Sequence, residues 1–228
     1  MPRTNRVDIA NIPYHVINRA NARVQIFDND RDYILFENIL EEAKEKFDMR
    51  VLSYCIMPNH WHLSLYPKKD GDLSKFMSWV TNTHTRRWHV TKEAIGQGHL
   101  YQGRYKSFLV QEDNHLLQLL KYIERNPLRA KSVNKAEDWK WSSLWRREQG
   151  NDKQKKLLDE WPVDIPKDYI DLVNIQEDEK EKEELKSLRH SVNKGKPYGS
   201  ESWVNRMIDK FKLGSTLRNP GRPKNGGW

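Results

Sequence analysis

The sequence predicts an α+β fold: a four-stranded antiparallel sheet in the order β-α-β-β-α-β, with two helices on one face and an added helix free to cover the other. Three observations carry that expectation. Four short runs are rich in β-branched and aromatic residues. Two segments between them place apolar residues at helical spacing. A further helical segment follows once the pattern is complete.

Pro13 to Arg19 (Pro-Tyr-His-Val-Ile-Asn-Arg) reads as the first strand. Asp30 is placed as the cap of a helix reaching about Phe47, with Tyr33, Ile34, Phe36, Ile39, Leu40, Ala43 and Phe47 at helical spacing. Val51 to Met57 is the second strand and His60 to Tyr66 the third, and the turn signal Pro58-Asn59 joins them as a hairpin. Asp72 is placed as the cap of the second helix, which carries Leu73, Phe76, Met77, Val80, His84 and Trp88 along one side. Residues 95–106 are rich in Gly and Tyr and read as a loop, and Ser107 to Gln111 is the fourth strand. Asp113 or Asn114 caps the added helix. Its end is expected near Asn126, because Pro127 disfavours helical geometry in the residue before it.

Residues 1–150 are assigned to this main unit, and Trp139, Trp141, Trp145 and Trp161 are expected to pack against it. Residues 151–185 read as a linker or acidic helical segment, since Glu177 to Glu184 is a charge run suited to a solvated helix face. Residues 186–228 form a basic, helical and flexible extension, with a short helix over Glu201 to Leu213 and an end rich in Gly and Pro.

Charge is distributed unevenly along the chain. The formal net charge is +8, and residues 186–228 hold ten Lys/Arg against Glu201 and Asp209, so the whole excess lies there. Clustered basic side chains point to a polyanion, and nucleic acid is the usual one in a cytoplasm; a solubilising tail is the alternative. A hydrophobic fraction of 36% beside a charged fraction of 32% fits one compact core with polar surroundings. No apolar run approaches the ~20 residues that span a bilayer, so no membrane partner is expected. Met1 to Ala10 has no apolar stretch behind it, unlike a signal peptide. Cys55 is the only cysteine, which excludes an intramolecular disulfide and fits a reducing, cytoplasmic location.

His60-Trp61-His62 lies in the third strand. Alternation points His60 and His62 to one face and Trp61, Leu63 and Leu65 to the other. The two imidazoles are then a workable metal-ligand pair, although a His-x-His in a strand is equally served by structural or exposed histidines. On the added helix, Tyr122 and Asn126 share a face with Gln118 and His115, opposite Leu116, Leu120 and Ile123. If that helix covers the open sheet face, Tyr122 and Asn126 meet His60 and His62, and Asn126 offers its side-chain oxygen as a third ligand. A divalent ion so held, Mg²⁺ or Mn²⁺, would withdraw charge from a phosphodiester. Tyr122 would then be the nucleophile. A phenol loses its proton only near pH ~10, so it needs a nearby cation or base. Covalent attack stores the bond energy for rejoining, in keeping with the absence of a Gly-x-x-x-x-Gly-Lys phosphate loop. His15, His84, His89, His99 and His115 are not expected among the ligands, since none has a partner at suitable spacing.

The stretch Tyr54-Cys-Ile-Met-Pro-Asn-His-Trp-His-Leu-Ser64 resembles the metal-binding motif of single-tyrosine HUH transposases. Tyr122-Ile-Glu-Arg-Asn-Pro-Leu-Arg-Ala130 resembles their tyrosine helix. With Tyr101-Gln-Gly-Arg-Tyr-Lys-Ser107, it points to the REP-associated tyrosine transposase branch. The resemblance covers about residues 8–147. It implies a ferredoxin-like catalytic domain and cleavage of single-stranded DNA near a hairpin, leaving a 5′-phosphotyrosine and a free 3′-hydroxyl. In those terms His60, His62 and Asn126 hold the metal and Tyr122 attacks. Glu124 stands where many relatives carry His, which is either neutral in effect or a change of charge near the DNA.

Candidate DNA contacts are Arg19 and Arg23 near the first strand, Arg86, Arg87 and Trp88 at the second helix, and Arg104, Tyr105 and Lys106 in the loop. Trp88 continues an apolar stripe and is better placed in the core. Arg129 either contacts DNA or caps the added helix. Arg218, Arg222 and Lys224 are the tail candidates. The active form is a monomer, or a homodimer that exchanges the added helix. Two other functions share these features: a non-cutting protein that binds hairpin DNA, and a hydrolase in which water attacks.

Overall fold

The computed structural model describes residues 6–175 and 178–217. Arg218, Arg222 and Lys224 lie outside the described residues. Strand β1 (Tyr14–Arg19), helix α1 (Asp30–Lys46), strands β2 (Met49–Met57) and β3 (His60–Pro67), helix α2 (Asp72–Thr91) and strand β4 (Lys106–Leu109) follow one another in the expected order. The strands form one antiparallel sheet ordered β2-β3-β1-β4, the ferredoxin-like arrangement.

Alternation along the strands gives the sheet two different faces. Tyr14, Val16, Tyr54, Ile56, Trp61, Leu63 and Leu65 join Phe36, Ile39, Leu40, Phe76, Met77 and Val80 of α1 and α2 in the larger core. Each such side chain contributes roughly 1.5–3 kcal/mol when fully buried, so register along β1 and β3 is strongly specified. A polar chain crosses this core. Trp61 Nε1 donates to Tyr101 Oη at 2.9 Å, and Tyr101 Oη lies 2.6 Å from His84 Nδ1.

The helix caps differ from those expected. Asn29, not Asp30, caps α1: its side chain accepts from Arg31 N at 3.0 Å, and Asp32 closes a capping box. Gly71, at φ 84°, precedes α2. The distant Asp8 carboxylate accepts from Leu73 N at 3.1 Å and Ser74 N at 2.8 Å, where negative charge suits the helix dipole.

Helix α3 (Asn114–Glu124) covers the second face of the sheet. Asp113 caps it, accepting from His115 N at 2.8 Å. Leu116, Leu119, Leu120 and Ile123 pack on Leu52, Cys55, Met57, Phe108 and Val110. The helical course does not stop before Pro127. A one-turn helix, α4 (Asn126–Arg129), restarts after Arg125 with Pro127 in its first turn, where a missing N–H is tolerated.

The remaining chain forms α5 (Ser143–Gln149), α6 (Asp152–Lys155), α7 (Tyr169–Asn174), α8 (Glu179–Lys194) and α9 (Glu201–Phe211). Helix α8 carries the acidic run and continues through residues 185 and 186 as one element. This C-terminal part seals both edges of the sheet. Along β2, Ile56 N donates to Trp141 O at 2.9 Å, Asp159 N to Val51 O at 2.9 Å and Trp161 Nε1 to Leu52 O at 2.7 Å. Along β4, Tyr198 N donates to Leu109 O at 2.9 Å and Gln111 N to Tyr198 O at 2.9 Å. Bare edges would otherwise invite pairing with other chains. Val204 and Ile208 of α9 are buried, as the apolar spacing predicts. Among the described residues no helix is long and apolar enough to cross a membrane.

Burial holds His84 neutral and pushes its pKa from 6.5 down to about 3, against a small opposing effect of Asp32. Below pH 6.5 the unfolded chain binds a proton here that the folded chain refuses. The corresponding stability is complete above pH 6.5 and is lost as pH falls toward 3. Urea unfolding between pH 7 and pH 5 should show that loss. His84→Gln, which keeps a partner for Tyr101, should remove ~1.4 kcal/mol per pH unit of it.

Candidate active site

Strand β3 buries Trp61 completely on the α1/α2 side and turns His60 and His62 toward α3. The two imidazole rings lie 5.1 Å apart, centroid to centroid. Antiparallel register sets Arg19 of β1 opposite His60 and Ile17 opposite His62. The half-buried Tyr122 of α3 places its ring 5.7 Å from that of His62, edge to face at 85°. The tyrosine and the histidine pair therefore meet within one chain.

Both imidazoles are held neutral. Burial, with Arg19 nearby, pushes His60 down to about 4. Burial also holds His62 well below the usual histidine range, assisted by His15, His60, Arg129 and Arg19. His60 Nδ1 lies 2.7 Å from Asn59 Oδ1. A carbonyl oxygen only accepts, so Nδ1 carries the hydrogen and Nε2 keeps its lone pair. His62 Nδ1 lies 2.9 Å from His15 Nε2.

His15 thus has the partner that spacing along the sequence had seemed to deny it. The signal was present in two parts. Odd residues of β1 share the face of His60 and His62, and the β1–β3 register brings His15 diagonal to His62. Other histidines are engaged elsewhere: His89 Nδ1 with Ala94 O at 2.8 Å, and His115 Nδ1 with Asp113 Oδ1 at 2.7 Å.

Asn126 sits where α3 breaks. Its Nδ2 donates to Tyr122 O and to Ile123 O, both at 3.1 Å. Pro127 has no N–H to offer the Ile123 carbonyl, and the amide replaces it. Oδ1 is the atom left for a ligand. Among the described residues no three of His, Cys, Asp and Glu gather as a metal site. An ion held by two neutral imidazoles and an amide oxygen would keep its full charge toward a phosphate. Two imidazole nitrogens and one amide oxygen at His60, His62 and Asn126 are a mixed donor set for a divalent ion.

Arg129 does cap α3: Nη2 donates to Tyr122 O at 2.5 Å, and the guanidinium carbon lies 4.2 Å above the Tyr122 ring. Helix α8 reaches the same side of α3, through Lys121 to Glu181 and Gln118 to Glu184, each at 2.6 Å.

Arg104 and Lys106 are exposed and, with Arg19 and Asn18, line a cleft of about 300 Å³ beside β1. Arg86 and Arg87 belong to the helical layer behind the sheet. Arg86 is exposed, and Arg87 makes two 2.7 Å bonds to Glu42. Tyr105 is buried under the Arg6 guanidinium, 3.8 Å above its ring. Trp88 Nε1 donates to Ile26 O at 2.8 Å, in keeping with a core position.

Glu124 is not near a DNA-accessible surface. It is fully buried, four residues beyond Leu120 on the same apolar stripe. Its carboxylate accepts from Ser143 Oγ at 2.6 Å, Tyr169 Oη at 2.7 Å and Ser53 Oγ at 3.2 Å. Burial raises its pKa and these hydroxyls oppose the rise.

A ferredoxin-like sheet with a helix-borne tyrosine against paired strand imidazoles is the frame of an enzyme that nicks and transfers DNA strands. The chain belongs to the family described as Transposase IS200 like, whose model matches residues 8–126, just over half of its length. That span runs from before β1 through Asn126 and so contains His60, His62, Tyr122 and Asn126, with Arg129 just beyond it. A REP-associated tyrosine transposase of Haemophilus influenzae is 25% identical over 124 residues, covering 50% of this chain and 70% of that protein. A solved structure, a REP-associated tyrosine transposase bound to a REP hairpin, matches with a TM-score of 0.56 at 16% identity, over 78% of this chain and 93% of that one. This second likeness is one of fold.

Glu124→Leu would leave the buried Tyr169 hydroxyl without its acceptor and take a shared acceptor from Ser143 and Ser53, which keep Tyr54 O at 3.1 Å and each other at 2.8 Å. Urea unfolding should show a loss of ~2–4 kcal/mol, and Glu124→Gln, which keeps one acceptor oxygen, should lose less than half of that.

Proposed function

We propose that this transposase cuts single-stranded DNA next to a hairpin, with Tyr122 as the nucleophile and a divalent ion held by His60, His62 and Asn126. The observation that carries the proposal is the approach of the Tyr122 ring to His62, on the face that also holds His60. When bound, Mg²⁺ or Mn²⁺ would draw charge from the scissile phosphate. Tyr122 Oη gives up its proton to solvent and attacks phosphorus, the bond to the 3′-oxygen breaks, and that oxygen takes a proton from solvent to leave as a 3′-hydroxyl. The 5′-phosphate stays on Tyr122 until a 3′-hydroxyl reverses the step. Arg129, stacked on the tyrosine ring, stabilises negative charge on its oxygen. Arg19, opposite His60, and the exposed Arg104 and Lys106 follow the phosphates along the adjacent cleft. The hairpin assignment draws on the fold relative described with a REP hairpin and on the REP-associated relative in sequence.

The test is a labelled single-stranded hairpin incubated with the protein and Mn²⁺. Wild type should carry label covalently, and Tyr122→Phe should form no adduct, with hairpin affinity within about twofold of wild type, because only the nucleophilic oxygen is lost. Cleavage without adduct would establish the hydrolase instead. Binding without cleavage would establish the non-cutting protein.

Tail contact has a separate readout. Removing residues 186–228 would take away the whole second half of α8 and Tyr198 from β4, so the informative cut follows Leu217. Loss of Arg218, Arg222 and Lys224 should flatten the dependence of log K on log salt by roughly 2–3 units. An unchanged slope would assign the tail to solubility.

A further inference from the structure

We propose that His15 is a positioning residue, which accepts a hydrogen bond from His62 Nδ1–H and so leaves the His62 Nε2 lone pair free to bind the metal. The inference rests on the metal-site reading above.

Both rings are buried, His15 fully and His62 at 2% exposure. A neutral imidazole has one N–H and one lone pair. The 2.9 Å contact between His62 Nδ1 and His15 Nε2 therefore holds one proton. Its owner decides whether His62 can be a ligand. With the proton on His62 Nδ1, Nε2 carries a lone pair. With the proton on His15 Nε2, His62 must be protonated at Nε2 and cannot bind an ion.

Two further observations favour a dedicated role. His60, the other imidazole of the pair, has its own partner, with Asn59 Oδ1 fixing the same tautomer at 2.7 Å. Each of the two imidazole ligands thus has one second contact, at Nδ1. With the shared proton on His62, His15 carries its own hydrogen on Nδ1, which has no hydrogen-bond partner among the described residues, and the ring lies 5.0 Å from that of Phe108. The polar contact His15 makes is therefore the one to His62. A residue serving only to fill this space would be apolar.

The test compares full-length wild type, His60→Ala, His15→Leu and His15→Gln by Mn²⁺ titration, read from the electron paramagnetic resonance of the free ion. His15→Leu should weaken Mn²⁺ binding by about 10- to 100-fold, and His15→Gln, which can still accept, should recover most of that. Hairpin affinity in EDTA should stay within about twofold for both, since the ion is absent from that measurement. In Mg²⁺-loaded wild type, nitrogen NMR should place the shared proton on His62 Nδ1, with a through-hydrogen-bond coupling to His15 Nε2. This second measurement needs no substitution. His15→Leu with unchanged Mn²⁺ affinity, or a shared proton on His15, would overturn the inference even where His60→Ala loses the ion. Wild type that binds no Mn²⁺, or His60→Ala that binds it as wild type does, would overturn the metal site itself and the inference with it.

Discussion

Helix α3 has one apolar side, and that side can be buried only on the sheet face not taken by α1 and α2. This constraint places the candidate site. Leu116, Leu119, Leu120 and Ile123 fix the depth and rotation of the helix against Leu52, Cys55, Met57, Phe108 and Val110. With a helix advancing ~100° per residue, Tyr122 falls at the rim of the buried stripe, neither inside the core nor free in solvent. The rim is where His62 stands. Glu124 ties the same helix to Ser53 of β2, to Ser143 of α5 and to Tyr169 of α7. Rotation of α3 would break the leucine contacts and those hydroxyl bonds together.

The covered face is also costly. It holds His15, His62 and Ser64 in a buried layer, where polar groups lose their hydration. The chain answers by keeping the imidazoles uncharged and giving His62 and His60 a partner at Nδ1. Neutrality stabilises the fold at physiological pH and is also the protonation state a ligand requires. Stability and chemistry ask the same thing of these rings.

Much of this was legible in local pattern. Alternation alone put His60 and His62 on one face and Trp61 on the other, and helical spacing put Tyr122 beside Asn126. What escaped depended on contacts between distant segments. Asp8 caps α2 from more than sixty residues away. His15 meets His62 only through the β1–β3 register. Local pattern leaves Glu124 between a neutral effect and a change of charge near the DNA, because a carboxylate on an apolar stripe has no meaning until its hydroxyl donors are placed. The acidic run of α8 reads as a solvated face, yet Glu181 and Glu184 hold Lys121 and Gln118 of α3.

The sealed sheet edges separate two quantities that are easily taken as one. The family model matches the chain through Asn126. What must be present for the sheet to be complete extends to Tyr198, because the outer backbone groups of β2 and β4 are paired by Trp141, Asp159 and Tyr198. Inherited segment and cooperative folding unit therefore have different lengths. The part of the chain outside the family match carries an obligation to the matched part: backbone groups set down beside β2 and β4 as isolated bridges and single hydrogen bonds.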